Sequence, residues 1–190
     1  MSEFFETAFG NGLLREYGNG LLTTLYLVVV CTAFAYLIGV PLGVILCITD
    51  KDGIRPRRAV NKVLGLIVNI FRSVPFVILL VMALPLTKVI VGTKVGDTAF
   101  LVPLVLAAAP FVARMVESSL KEVDAGVIEA AQAMGSSNWQ IIYKVLLPEA
   151  KPSLLVGGAI AVTTILGYTP LATLVGGGGL GAIAVQYGLY

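Results

Sequence analysis

The sequence contains no histidine, and only 13% of its 190 residues are charged. Without histidine there is no His-ligated metal site, no histidine general base and no Ser-His-Asp triad. Soluble domains carry about 25% charged residues, so this chain has too little polar surface for that class. The net charge of +2 gives no reason to expect a nucleic-acid partner.

Cysteine is also scarce. Cys31 and Cys47 lie 16 residues apart in one apolar run, which corresponds to about 24 Å along a helix. A disulfide requires Cα atoms within about 7 Å, so we expect two buried thiols. Two cysteines without histidine are also too few ligands for a zinc site. We therefore expect no metal and no cofactor in this chain.

A phosphate-binding loop is missing as well, because GxxxxGK[ST] does not occur. The run Gly176–Gly181 formally matches GxGxxG, but it follows an apolar segment rather than a strand. We interpret it as a tight turn. Nothing in the sequence indicates a catalytic site, and we predict that the chain is not an enzyme.

What the sequence does have is long apolar runs. Residues 21–49 carry no charge and would form a helix of about 43 Å, longer than the hydrocarbon core of about 30 Å. Three further runs follow, and the first of them is interrupted by Arg72 and Pro75. The prediction is an all-α integral membrane protein forming a single domain, 1–190, with four transmembrane helices at about 21–49, 63–86, 98–116 and 152–175.

The basic residues predict the orientation. The loops after the first and third runs, with the end of the third run, hold nine of the thirteen Lys and Arg residues, and the other side holds three: Arg15, Lys88 and Lys94. Cytoplasmic loops carry the excess of basic residues. We expect a multi-pass protein of the bacterial inner membrane, with the N-terminus outside and the polar segment 117–151 in the cytoplasm.

That polar segment has the pattern of two short helices. Asp124 can cap a helix that begins near Ala125, Gly135 ends it, and Ser136 or Ser137 can cap the next. We expect Pro148 to stop the second helix. Two apolar stripes follow helical spacing: Val127, Ile128, Ala131 and Met134, then Trp139, Ile142, Tyr143 and Leu146. Docking of a protein and packing on lipid or on the chain itself both fit such stripes.

The order Glu129-Ala130-Ala131, Gly135, Pro148 resembles the EAA loop of membrane subunits of ATP-binding-cassette (ABC) importers. In that family the loop docks on a separate ATPase. The resemblance implies a coupling loop at 117–151. Its expected ATPase-docking residues are Glu129, Ala130, Ala131, Met134, Gly135, Trp139 and Pro148.

The similarity extends beyond this loop. Several segments resemble methionine-uptake permeases: NIFRSVPFVILL at 69–80, PFVARMVE at 110–117, AMG at 133–135, KVLLPEA at 144–150 and GGGGLGAIAVQYG at 176–188. The resemblance implies import of D- or L-methionine or a related amino acid by alternating access. It implies a second copy of the chain, two ATPase subunits that bind ATP and Mg²⁺, and a lipid-anchored substrate-binding protein, in addition to the surrounding membrane lipid.

The family has a further span after the glycine-rich turn, which we expect to be absent or truncated here. Arg72, Pro75 and Tyr168 are candidate pathway residues, because an intramembrane arginine often faces a cavity. A snorkelling arginine near a helix break is the alternative. Two other functions make different demands on the sequence. An ATP-independent secondary transporter or channel would need ionisable residues deep in the spans, and a membrane-embedded enzyme would need a nucleophile or an acidic pair.

Overall fold

The computed structural model describes residues 13–189, which form helices and contain no β-strand. The all-α prediction is therefore confirmed for this part of the chain. A π-helical segment, Ile142–Leu146, and a 3-10 helix, Thr169–Val175, complete the helices. The α-helices are α1 (Leu13–Thr49), α2 (Arg58–Ser73), α3 (Phe76–Val91), α4 (Asp97–Lys121), α5 (Ala125–Ala133), α6 (Asn138–Ile141), α7 (Leu147–Glu149), α8 (Lys151–Tyr168) and α9 (Leu180–Leu189).

Three segments are long and apolar enough to cross a membrane: Leu14–Thr49, Asp97–Lys121 and Lys151–Val175. The second predicted span, 63–86, is not one helix. It corresponds to α2 and α3, which are bent by 111° and pass the same test only as a pair. The break lies at Val74, whose backbone is extended (φ −79°, ψ 125°), because the following Pro75 disfavours the helical conformation for the residue before it.

The chain folds into two compact units. The first comprises 13–31, 77–104 and 164–189. Its buried side chains include Leu27, Leu80 and Phe100. The glycine-rich turn is held at both ends: the Gly178 amide donates to Asp97 Oδ1 at 2.6 Å and the Leu180 amide donates to Thr24 Oγ1 at 2.9 Å. The prediction of a tight turn at these glycines is confirmed.

The second unit comprises residues 32–76 and 105–163. Gly39 and Gly43 on α1 allow a close approach to α4, because a Cβ atom on Gly43 would lie 2.6 Å from the Ala113 carbonyl oxygen. Next to this contact, Leu46, Val68 and Ala113 form a buried cluster, against which Leu42 and Leu64 pack.

Both cysteines lie on α1, where they are buried and unbridged, as predicted.

Candidate functional site

The polar segment that follows α4 folds into the loop helices, by which we mean α5, α6, the π-helical segment and α7. The first begins as predicted, because Asp124 Oδ1 accepts a hydrogen bond of 2.7 Å from the Gly126 amide. This bond satisfies one of the amides that a helix leaves unpaired in its first turn. The start of α5 is therefore determined by a contact between residues two positions apart.

Gly135 ends α5 in the left-handed conformation, with φ of +78°. Its amide donates to the Gln132 carbonyl at 2.9 Å, and the Ser136 amide donates to the Ala131 carbonyl at 3.1 Å. These two bonds form a Schellman motif, in which glycine is preferred because it has no Cβ atom. The turn between the two predicted helices is confirmed at Gly135.

Ser137 is the cap of the second helix. Its side chain accepts from the Gln140 amide at 3.4 Å, and its own amide donates to Gln140 Oε1 at 2.8 Å. This reciprocal pair is a capping box. The start of α6, like the end of α5, is therefore determined by contacts between residues close in the chain.

Pro148 does not stop the second helix, contrary to our prediction. The helical path runs through the π-helical segment Ile142–Leu146 and continues to Glu149. Pro148 lies at the start of the short α7, a position where a residue without an amide hydrogen is tolerated. The wider π turn immediately before it shifts the register of the hydrogen bonds.

The second apolar stripe divides between the interior and the surface. Ile142 and Leu146 are buried, together with Ile141, whereas Trp139 is 73% and Tyr143 66% exposed. Most of the predicted docking residues are exposed: Glu129, Ala130, Met134, Gly135, Trp139 and Pro148. Ala131 is buried instead, at 3%. Tyr143 belongs with the exposed set, although the sequence pattern alone placed it in the same stripe as the buried residues.

A network of charged residues lies at the end of α4, just before the loop helices. Glu117 is buried and accepts from Arg114 Nη1 at 2.6 Å and from Lys121 Nζ at 2.8 Å. Arg114 Nη2 also donates to the Gly65 carbonyl at 3.1 Å and to Asn69 Oδ1 at 3.0 Å, both on α2. The sequence predicts that the third span ends at about residue 116, but the pairing of Glu117 allows α4 to continue to Lys121.

Lys121 also joins the ends of two spans. Its Nζ atom lies 2.5 Å from Asp50 Oδ2, just after the end of α1. Bonds from Lys121 and from the Lys51 amide hold the pKa of Asp50 below its ordinary value. The loop after α1 and the loop after α4 therefore lie at the same end of this unit, as the distribution of basic residues predicted.

A cleft of about 320 Å³ lies at this end of the unit. Cys47, Asp50 and Lys121 line it from the ends of α1 and α4, and Ile128 and Leu146 line it from the loop helices. The loop helices and the ends of α1 and α4 thus border a common cleft.

The three candidate pathway residues are divided between the two units of the fold. Arg72 is exposed in the last turn of α2, and Pro75 is exposed at the break after it. Tyr168 is half-buried at the end of α8. Arg72 and Pro75 belong to one unit of the fold and Tyr168 to the other. Among residues 13–189 there is no group of histidine, cysteine, aspartate or glutamate residues that could hold a metal ion.

Several apolar helices long enough to cross a membrane, with ordered loop helices attached to one end of a packed unit, define a multi-pass membrane component. The chain belongs to the family of binding-protein-dependent transport system inner membrane components, whose model matches residues 39–190. The resemblance noted in the sequence is thereby confirmed.

Two relatives illustrate this similarity. The chain is 51% identical over 167 residues to the probable D-methionine transport system permease protein MetI of Vibrio cholerae, covering 88% of this chain and 74% of that protein. It is 48% identical over 153 residues to the D-methionine transport system permease protein MetI of Escherichia coli, covering 80% and 70% respectively.

Solved structures show the same similarity. Inward-facing conformations of the MetNI methionine ABC transporter match with a TM-score of 0.92 and 45% identity, over 95% of this chain and 84% of that chain. An amino acid ABC transporter with histidines matches with a TM-score of 0.73 but 19% identity, over 92% of this chain and 78% of that chain. This second match reflects the fold alone.

Proposed function

We propose that this chain is the permease subunit of an ATP-driven ABC importer for methionine. The observation that carries the proposal is the 45–51% identity to proteins named as methionine transporters, which extends over most of the chain and includes the loop helices. The substrate would move by alternating access, in which two arrangements of the membrane helices open to opposite sides. The chain itself would carry out no catalysis.

The exposed loop-helix residues are proposed to dock on the ATPase. Trp139, Tyr143 and Met134 expose large apolar surface, at 73%, 66% and 79%, and exposed aromatic residues are typical of interface centres. Glu129 and Ala130 are exposed beside them on α5, and Pro148 on α7. Ala131 is buried, so it would support docking indirectly by holding α5 in place.

The remaining partners follow from this assignment. We propose a dimer of two copies of the chain, two ATPase subunits that hold ATP and Mg²⁺, and a lipid-anchored substrate-binding protein. The chain would lie in the bacterial inner membrane with its N-terminus outside. Placing the loop helices in the cytoplasm is supported by the basic residues at the shared end of α1 and α4, since cytoplasmic loops carry the excess of Lys and Arg.

Arg72 is proposed to line the transport pathway. By helical periodicity it shares one face of α2 with Asn61, Gly65 and Asn69. Those three residues contact groups on α1 or α4, so this face is directed towards protein. The opposite face exposes Val63 and Ile67. Arg72 thus continues this polar face beyond the three residues that contact α1 or α4. It lies next to the break at Pro75. Tyr168 would border the pathway from the end of α8.

The family assignment favours ATP-driven import over an ATP-independent transporter, because transport in this family depends on a binding protein. Uptake of labelled methionine by a deletion strain that carries this chain and its neighbouring transport genes tests the proposal. We expect uptake of labelled methionine that an excess of unlabelled methionine, but not of an unrelated amino acid, suppresses. Restored uptake of a different amino acid with none of methionine would contradict the proposed substrate.

A further inference from the structure

The loop between α1 and α2 is folded back on the end of α1. The Arg55 amide donates to the Ile48 carbonyl at 3.0 Å, and the Arg57 amide donates to the Thr49 carbonyl at 3.0 Å. These bonds satisfy carbonyl groups that the end of a helix leaves unpaired. Asn61 Nδ2 donates to the Leu46 carbonyl at 2.7 Å and fastens the start of α2 to the same place. The basic side chains of this loop are therefore carried on an ordered backbone.

The acidic residues of the loop are already paired. Asp50 binds Lys121, and Asp52 lies 3.5 Å from Lys51. Four cations then remain with no ion pair to any residue between 13 and 189, and all four are exposed. They are Arg55, Arg57, Arg58 and Lys62. Their charge has no counterpart in the part of the chain that the structure describes.

These cations lie directly beside an apolar surface. From Val63 onward, α2 exposes large aliphatic side chains, with Val63 at 59%, Leu66 at 60% and Ile70 at 54%. The polar face of the same helix is turned towards α1 and α4, so the exposed side is the one that would meet lipid tails. The four cations thus lie at the start of the lipid-facing part of α2. That position corresponds to the level of the lipid headgroups.

We propose that Arg55, Arg57, Arg58 and Lys62 form a binding site for the headgroups of anionic phospholipids. A cluster of basic residues immediately beside a membrane span attracts anionic lipids, and arginine binds phosphate through paired N–H donors. The exposed apolar face that continues from the cations would contact the acyl chains of the same lipid. That continuity favours a lipid over a soluble anion or a protein. The proposal depends on membrane embedding and not on the substrate or on ATP.

Association of spin-labelled lipids with the purified full-length chain in bilayers tests this site. Labelled phosphatidylglycerol should associate about fivefold more strongly than labelled phosphatidylcholine at about 0.1 M salt. The preference should fall towards one at about 1 M salt, where the screening length shortens from about 10 Å to about 3 Å. Equal association of the two lipids at low salt would overturn the proposal.

A matched pair of variants locates the effect. The triple variant Arg55→Gln, Arg57→Gln, Arg58→Gln should lose the preference, because it keeps every backbone bond but removes three charges. The variant Arg15→Gln, Lys88→Gln, Lys94→Gln removes three exposed charges from outside the basic loop and should keep the preference. Equal thermal midpoints would show that both variants are folded. An unchanged preference in the first variant, or an equal loss in both, would overturn the proposal.

Two further measurements distinguish a lipid from other ligands. Inorganic phosphate or glycerol 3-phosphate at millimolar concentration should not displace phosphatidylglycerol, and displacement would indicate a plain anion site instead. Co-purification of the ATPase should also survive in the triple variant. Loss of the ATPase with an unchanged lipid preference would assign the surface to a protein partner. Because lipid association is measured without transport, its failure is distinguishable from failure of the proposed import function.

Discussion

Arg114 and Glu117, one turn apart on α4, form an ion pair with 2.6 Å between Nη1 and Oε2, and the Glu117 side chain is only 6% exposed. Arg114 also binds α2, and Lys121 connects Glu117 to Asp50 after α1. Three elements thus meet at the point from which the loop helices begin.

Removing the Glu117 charge should destabilise the protein. In Glu117→Gln, Arg114 and Lys121 lose the anion that they share, but both cations are partly exposed and keep other partners. The loss should therefore cost about 1–3 kcal/mol. We expect a clearly lower thermal midpoint of the purified protein. The control Glu122→Gln changes an exposed carboxylate with no ion pair among the described residues and should leave the midpoint nearly unchanged. Equal midpoints for the two variants would rule out a structural role for the network.

The Asp50–Lys121 pair should make stability depend on pH. The pKa of Asp50 is lowered in the folded protein, so its contribution is present above the unfolded value of about 3.9. It is lost as the pH falls through the folded pKa. The midpoint advantage of the wild type over Asp50→Asn should be constant from about pH 8 to pH 5 and shrink below about pH 4. Asp52→Asn is the control, because Asp52 lies in a largely exposed pair with Lys51, and loss of such a pair should change the midpoint little.

Substitution of Gly135 should affect the loop helices only through the backbone conformation at this position. A Cβ atom there would meet nothing within 4 Å, but φ is +78°, which costs other residues roughly 1–2 kcal/mol. Gly135→Ala should therefore loosen the loop helices and weaken retention of the ATPase in a pull-down, whereas Gly135→Asn should retain more. Gly167→Ala is a matched control, since that site has equal space within α8 and no positive φ. Equal retention in Gly135→Ala and Gly167→Ala would count against the turn.

Trp139 should contribute to partner binding without contributing to the fold. It is 73% exposed in the isolated chain, so Trp139→Ala should leave the thermal midpoint of the permease nearly unchanged. If the side chain is central to an interface, truncation costs about 2 kcal/mol or more of binding, or roughly thirtyfold in affinity. Val89→Ala, at an 83% exposed position on α3, serves as the control. Titration of the ATPase against both variants measures the difference.

The sequence was sufficient where the determining contacts are local. Asp124 and Gly135 form their cap and turn with residues two or three positions away, as predicted. Ser137, one of two predicted candidates with Ser136, caps α6 through Gln140. The apolar runs also located the three helical segments that are long and apolar enough to cross a membrane, because length and composition decide that property.

Other features depend on residues distant in the chain. Lys121 was assigned to a loop, since its partner Asp50 is 71 positions away and no periodicity connects them. A break near Pro75 is indicated by the sequence, but the 111° angle between α2 and α3 is not, because no local pattern determines the angle between two helices. Tyr143 and Ile142 were placed in one stripe, whereas the π-helical segment rotates neighbouring side chains away from ordinary helical positions.

The central claim is tested most directly by methionine uptake into proteoliposomes that contain this chain and its ATPase, with the substrate-binding protein added outside and ATP enclosed. We predict uptake that requires ATP, the ATPase and the binding protein together, and that Trp139→Ala reduces while Val89→Ala does not. Uptake that continues without ATP or without the ATPase would contradict the account.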